Sequence, residues 1–358
     1  MIRFADPILV INVTRIIGTA TLAFIVALGI TPLLTHYLYR YRFGKSIRNE
    51  GNTPIYSRLH ANKAGTPVGG GIIIWGTVLM LALILATIDL VFQNRFSEAL
   101  NFLTRKQTLL PLGALVASAI VGLIDDYLNV RKMGPQGGGL QMKHRLLLYT
   151  VVAGFGAWWF FFKLEWSILH IPGVTDLEIG WWYIPLFMIV IVATAFSVNE
   201  SDGLDGLAGG ILIFCFAAYT ALAFAMGKVE LAMFCAAIGG ALLAFLWFNV
   251  YPARFFMGDT GAMSLGTTLG VIAMLTNSAL VLPVIAFPLV LESLSVILQI
   301  TSKKFLGRKI FRSTPIHHHF EALGWPETKV TMRFWIIAAV SAGVGLVLGL
   351  LGRGELVP

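Results

Sequence analysis

Ten stretches of this sequence run for roughly twenty residues with few charges, near residues 16–38, 68–92, 108–127, 145–163, 182–199, 206–226, 229–249, 261–278, 281–301 and 332–351. A helix needs about 20 mostly apolar residues to cross the hydrocarbon layer. A β-barrel span would instead alternate at every second residue over about ten positions; these runs are continuously apolar. Inside lipid each backbone N–H and C=O must be satisfied within the segment, and an isolated apolar run achieves that only as a helix. Composition agrees: 57% of residues are hydrophobic and 12% charged, against about 45–50% and about 25% in soluble domains. The expected fold is an all-α polytopic membrane protein of about ten transmembrane helices. With no internal repeat or soluble insertion, residues 1–358 read as a single domain.

An even number of spans puts both termini on one side. The connections after the first, third, fifth, seventh and ninth spans hold eighteen of the 26 Lys and Arg residues, and the side richer in them is cytoplasmic. Both termini are therefore expected outside. The net charge of +8 reads as topology and as affinity for anionic membrane lipids. No basic and aromatic stripe of a nucleic-acid module occurs, so nucleic acid is not an expected partner. Cys215 and Cys235 lie inside apolar runs, where free cysteine behaves as a small hydrophobe. The first run, interrupted by Arg15 and lacking a small-residue cleavage site, reads as an uncleaved helix.

The same alternation gathers chemistry on the cytoplasmic face. Asp125 and Asp126 close the third span; Asn199, Glu200, Asp202 and Asp205 follow the fifth; Asp259 precedes the eighth; His317, His318 and His319 follow the ninth. Adjacent helical acids point about 100° apart, so Asp125 and Asp126 address different partners. Asp202 and Asp205 share a face if helical, and one helix N-cap uses only one acid. Asp259, between Gly258 and Gly261, either caps the next helix or reaches a metal. Mg²⁺ is normally held by one or two carboxylates plus phosphate oxygens. Three successive histidines fit zinc-ligand spacing poorly, leaving hydrogen bonding to phosphate or sugar oxygens, or a solvated loop. Lys63, in a turn with Gly65-Thr66-Pro67, suits anionic groups held by charge and backbone N–H.

Taken in order, these motifs resemble the polyprenyl-phosphate N-acetylhexosamine-1-phosphate transferases, over essentially the whole chain. The matching residues are Lys63-x-Gly65-Thr66-Pro67, Asp125-Asp126, Asn199-x-x-Asp202-Gly203-Leu204-Asp205, Asn249 with Phe256-Met257-Gly258-Asp259, and Glu292 with Gln299. The segment from Pro315 through His317, His318, His319 and Glu321 to Glu327 resembles the muramoyl-pentapeptide branch in particular. Val68-Gly69 stands where the family has Thr-Met, and Arg145 where it has a lysine.

The resemblance implies transfer of phospho-N-acetylmuramoyl-pentapeptide from its UDP donor to undecaprenyl phosphate. The products are lipid I and UMP, the cofactor is Mg²⁺, and the location is the cytoplasmic face of the bacterial inner membrane. Asp125, Asp126, Asp259 and His318 are expected in catalysis, with Asp259 as metal ligand and Asp125 as base or orienter of the lipid phosphate. Direct attack and a covalent phospho-aspartate on Asp125 or Asp126 stay open. Substrate contacts are expected from Lys63, Thr66, Arg145, Asn199, Asp202, Asp205, Asn249, Phe256, Gln299, His317 and His319, and a homodimer is implied. Two other readings compete. A relative using UDP-N-acetylglucosamine is opposed by the His317–Glu327 segment, and a transporter would carry its charges nearer the bilayer midplane in repeat-related halves.

Overall fold

The computed structural model describes residues 6–41, 43–44, 60, 63, 65–134 and 138–351. The helices are α1 Pro7–Arg40, α2 Gly71–Phe92, α3 Arg95–Leu100, α4 Leu109–Val130, α5 Met142–Lys163, α6 Tyr183–Ser201, α7 Leu207–Ala225, α8 Val229–Asn249, α9 Gly258–Leu275, α10 Leu282–Ile285, α11 Phe287–Leu306, α12 Ile316–Ala322 and α13 Glu327–Leu351. A short antiparallel hairpin, β1 Ile168–Ile171 and β2 Thr175–Glu178, precedes α6. Local chemistry sets the ends. Asp6 accepts a hydrogen bond from Ile8 N (3.0 Å) ahead of Pro7, an N-cap followed by proline at the first helical position. Asn94 and Ser97 form a reciprocal capping box at α3.

Among the described residues, eight helices are long and apolar enough to cross a membrane: α1, α2, α4, α5, α6 with its leading turn, α7, α8 and α13. The two other expected spans are present as helices of 18 and 20 residues, α9 and α11, but are less apolar. For α9 the reason is its neighbours. It packs mainly on α4 and α6, and every residue in it except Asp259 is buried. Facing protein on all sides, it uses Gly, Ser and Thr, which let backbones approach closely. Two of its hydroxyls return to its own carbonyls, Ser264 to Thr260 O and Thr268 to Ser264 O, each 2.7 Å, while that of Thr260 donates to Ala119 O of α4 (2.8 Å). For α11 the cause is buried polarity, since it carries Glu292 and Gln299, both buried. The ninth expected span, 281–301, is also split. Pro288 has no N–H to continue a ladder, and α10 ends at Ile285 before α11 begins at Phe287. The hairpin and α3 were not expected; both lie in short connections where apolar periodicity gives no signal.

The two ends of the bundle differ. At one end, His170 N in the hairpin donates to Asn277 Oδ1 in the turn after α9 (3.1 Å), and Arg15 pairs with Glu230 (3.8 Å). At the other end, long-range hydrogen bonds join the connections after α1, α6, α8 and α11, and Asp126 at the end of α4 bonds to the start of α9. This is the end that gathers most of the basic residues, although the connection after α6 carries none. Orientation follows as an expected result. A membrane-impermeant thiol reagent should label Thr175→Cys in intact cells and Lys309→Cys only after permeabilisation. Both positions are exposed and both native cysteines buried, so background labelling is low. Labelling of Lys309→Cys in intact cells would reverse the orientation.

Candidate active site

Asp125 and Asp126 end up with separate tasks, as their angular offset on α4 requires. Asp126, 2% exposed, accepts the backbone N–H of Asp259 at Oδ1 and of Thr260 at Oδ2, both 3.0 Å. It thereby caps α9 from a neighbouring helix, and a carboxylate at that terminus also meets the positive end of the helix dipole. Gly258 permits this closeness: its φ is +75°, and a Cβ there would lie 2.6 Å from Asp126 Oδ2. Asp259 consequently does not act as the cap, one of the two roles its sequence context allowed.

Relieved of capping, Asp259 turns toward Arg145, which also faces Asp125. Its Oδ2 pairs with Arg145 Nη2 (2.9 Å), and its Oδ1 accepts from Asn199 Nδ2 (2.5 Å). Arg145 Nη1 donates to Asn199 Oδ1 (3.2 Å). Arg145 Nε also lies 2.7 Å from Asp125 Oδ2. That contact is an ion pair too bent to be a hydrogen bond, leaving the Nε and Oδ2 atoms without hydrogen-bond partners. Asp125 is fully buried and accepts Leu140 N at Oδ1 (2.6 Å). One guanidinium from α5 thus binds carboxylates from α4 and α9 and an amide from α6. Of the four basic residues after the third expected span, Arg145 is the one drawn inward. Arg131 lies over the Tyr127 ring, and Lys132 and Lys143 are exposed.

A second cluster adjoins it. Lys63 Nζ reaches Asp205 Oδ1 (2.6 Å) and Glu327 Oε1, with the Phe256 ring 5.9 Å away. Asp205 Oδ2 accepts Ala253 N (2.9 Å), and Glu327 Oε1 accepts Asp205 N (2.6 Å). Asp202 Oδ2 accepts Gly258 N (3.1 Å), tying this loop to the start of α9. Thr66, half-buried, follows through its backbone N–H on Lys63 O (3.2 Å). Asn249 and Gln299 act on the scaffold. Asn249 accepts Gly206 N (3.0 Å) and donates to Phe255 O (2.8 Å). Gln299 accepts from Ile310 N and Phe311 N (both 3.0 Å) and donates to Phe311 O (2.9 Å). Both side chains shape the loops that carry the other residues.

The three histidines diverge, in keeping with their poor spacing for one shared ion. His317 Nδ1 meets Glu292 Oε2 at 2.8 Å, fully buried, while its Nε2 has no partner. That Nε2 presses on Gly203, where a Cβ would lie 2.3 Å away; only glycine fits. His318 Nδ1 meets Glu321 Oε2 at 2.7 Å, and the same oxygen is 3.2 Å from His60 Nε2. His319 Nδ1 accepts Arg312 N (3.1 Å) and closes the α11–α12 connection. Burial, reinforced at His318 by its neighbour His317, pushes both inner imidazoles down to about 3, so they are neutral at physiological pH. For Glu321 burial alone would raise the carboxyl, but hydrogen bonds from His318 and His60 outweigh it and hold it at about 2.

Glu292, Glu321 and Glu327 lie in motifs matched from sequence but were given no role there, and neither was His60. A signal existed for Glu292, since a carboxylate inside an apolar helix usually serves a function. Glu321 pairs locally with His318, three residues before it, whereas its contact with His60 and that of Glu327 with Lys63 span 261 and 264 residues and leave no local trace.

Residues 108–277 match the Glycosyl transferase family 4 profile. The chain is 35% identical over 357 residues to the phospho-N-acetylmuramoyl-pentapeptide-transferase of Chloroflexus aggregans, covering 96% of this chain and 92% of that one. It is 37% identical over 328 residues to the Clostridium perfringens protein of that name, covering 91% and 96%. With the Bacillus anthracis protein of the same name it shares 36% over 337 residues, covering 92% and 97%.

Proposed function

The chain belongs to the phospho-N-acetylmuramoyl-pentapeptide-transferase family, and we propose that its transfer takes place where Arg145 joins Asp125 to Asp259. It is a membrane-embedded glycosyl-1-phosphate transferase of peptidoglycan synthesis. We take the donor to be UDP-N-acetylmuramoyl-pentapeptide and the acceptor undecaprenyl phosphate, at the cytoplasmic face of the inner membrane. An oxygen of the acceptor phosphate bonds to the sugar-linked phosphorus of the donor. The bond from that phosphorus to the UMP oxygen breaks, and UMP leaves with the electron pair.

A phosphate monoester has its second pKa near about 6, so the acceptor is largely dianionic at neutral pH. It needs orientation and countercharge more than deprotonation. Arg145 presents a planar donor fork suited to phosphate oxygens, and Asp125 fixes that fork from a buried position. We therefore assign Asp125 as orienter. Asp126 has both oxygens committed to backbone N–H groups, and Asp125 is fully buried with Oδ1 on Leu140 N and Oδ2 ion-paired to Arg145, which makes both poor nucleophiles, so direct attack is the reading adopted.

The residues fit a magnesium ion. Asp259 and Asp125 supply hard oxygen donors converging on one cation position, now shared with a guanidinium. Asp259 is also the one residue of α9 that is not buried, open to waters and phosphate oxygens. Mg²⁺, when bound, neutralises charge on the pyrophosphate. Lys63, held by Asp205 and Glu327, supplies a further cation beside Phe256 for the donor.

The observation that carries this reading is the convergence of Asp125, Arg145, Asn199 and Asp259 from four helices at one end of the bundle. UMP release tests it. Release should require both the muramoyl-pentapeptide donor and undecaprenyl phosphate. Equal release from UDP-N-acetylglucosamine would overturn the donor assignment, and a stoichiometric burst of UMP without acceptor would replace direct attack by a covalent intermediate.

A further inference from the structure

His60, His318 and Glu321 form the one group of three or more His, Cys, Asp or Glu side chains among the described residues whose ligand atoms approach closely enough to share a metal ion. All three atoms lie within 4.8 Å of one another. From this geometry we infer a binding site for a zinc-class cation, separate from the magnesium position. His60 Nε2 and His318 Nδ1 stand 3.2 and 2.7 Å from Glu321 Oε2. Ligands about 2.0–2.1 Å from a tetrahedral zinc are about 3.3 Å from each other, so a small outward shift of the two rings admits the ion.

The chemistry of the donors selects the metal. Two imidazole nitrogens and one carboxylate oxygen suit Zn²⁺ or Co²⁺, whereas Mg²⁺ prefers an all-oxygen shell. The Asp125–Asp259 pair offers oxygen only, which keeps the two sites chemically distinct. Burial protects the three ligands: their side chains are 3%, 9% and 6% exposed. A cavity of about 410 Å³, lined by His60, Glu321, Tyr251, Trp325 and Glu327 among others, opens beside them. It gives an entry path and room for a water at the fourth position.

The position sets the consequence. His60 lies three residues before Lys63, and its backbone carbonyl accepts Lys63 N (3.0 Å). His318 and Glu321 lie one turn apart on α12. An ion here clamps α12 to the segment that delivers Lys63. Without it, the same three side chains make a hydrogen-bonded bridge of lower strength.

The test uses untagged, full-length protein in detergent, stripped by chelator and kept in excess Mg²⁺. Titration with Co²⁺ should give the visible absorption of four-coordinate cobalt, saturating at one equivalent and lost on adding Zn²⁺. His60→Ala and Glu321→Gln should each abolish it while the protein remains monodisperse and helical. Zn²⁺ should raise the melting temperature of the parent protein and neither variant's. No saturable band in the parent protein would overturn the site, as would a band unchanged in both variants. If a variant fails to fold, X-ray absorption on the parent cobalt complex decides: two imidazoles and a carboxylate support the site, a shell without imidazole rejects it.

Discussion

Replacing Asp259 by Asn is expected to give a folded protein whose turnover falls by a factor on the order of 10²–10³, comparable to removing one transition-state donor, and whose response to Mg²⁺ is blunted. Fold is retained because Asp259 contributes only its backbone N–H to the start of α9, and that bond to Asp126 does not depend on its side chain. The Asn oxygen can still accept from Asn199. Its amide, however, faces Arg145 Nη2 donor to donor, where the carboxylate had made a 2.9 Å ion pair. On the proposed reading a divalent cation would lose its solvent-facing carboxylate at the same stroke. The measurement is UMP release across a Mg²⁺ titration for both proteins, with melting temperature as the control. An unchanged rate and Mg²⁺ optimum would remove Asp259 from the reaction.

The neighbouring acid of the pair should respond in the opposite currency. Asp126→Ala leaves two buried N–H groups, those of Asp259 and Thr260, without an acceptor. Each such orphan costs about 1–3 kcal/mol, so the pair costs roughly 2–6 kcal/mol. A typical domain has about 5–15 kcal/mol in hand, and the effect should therefore appear as a collapse of thermal stability in detergent. Asp126→Asn, which keeps one acceptor, should fall between. Asp125→Ala removes one backbone hydrogen bond, to Leu140, and an ion pair with Arg145, whose charge keeps Asp259 as partner, so activity should fall together with a smaller loss of stability than in Asp126→Ala. Equal melting of Asp126→Ala and the parent protein would show that α9 does not need its cap. The loss of function expected of Asp126 from the sequence then reads as a loss of the helix end on which Asp259 is carried.

Much of this arrangement is written locally. The apolar runs give the helices, their alternation gathers five connections at one end, and the 100° offset on α4 already separates Asp125 from Asp126. What the sequence withholds is which partner each acid finds. Nothing near Asp126 announces that it caps a helix 133 residues away, and nothing near Arg145 distinguishes it from Arg131, Lys132 or Lys143. Asn249 and Gln299 belong to the same motifs as the acids, yet their amides serve loop backbones. An amide that binds substrate and one that braces a loop have identical sequence signatures. Only tertiary contact tells them apart.

The burial of α9 has a consequence for how the chain is made. During synthesis each emerging segment partitions between the translocation channel and lipid according to its own polarity. The segments α1, α2, α4, α7 and α8 can leave the channel unaided. A helix of Gly, Ser and Thr has little to gain from lipid, and its natural environment, the surface of α4 and α6, is already in the membrane when α9 emerges. Its insertion is therefore an act of assembly: α9 enters by docking onto earlier helices, and Asp259 reaches Arg145 only once that docking is complete. The proposed centre is thus completed only when α9 joins α4, α5 and α6, whose ends already stand around it.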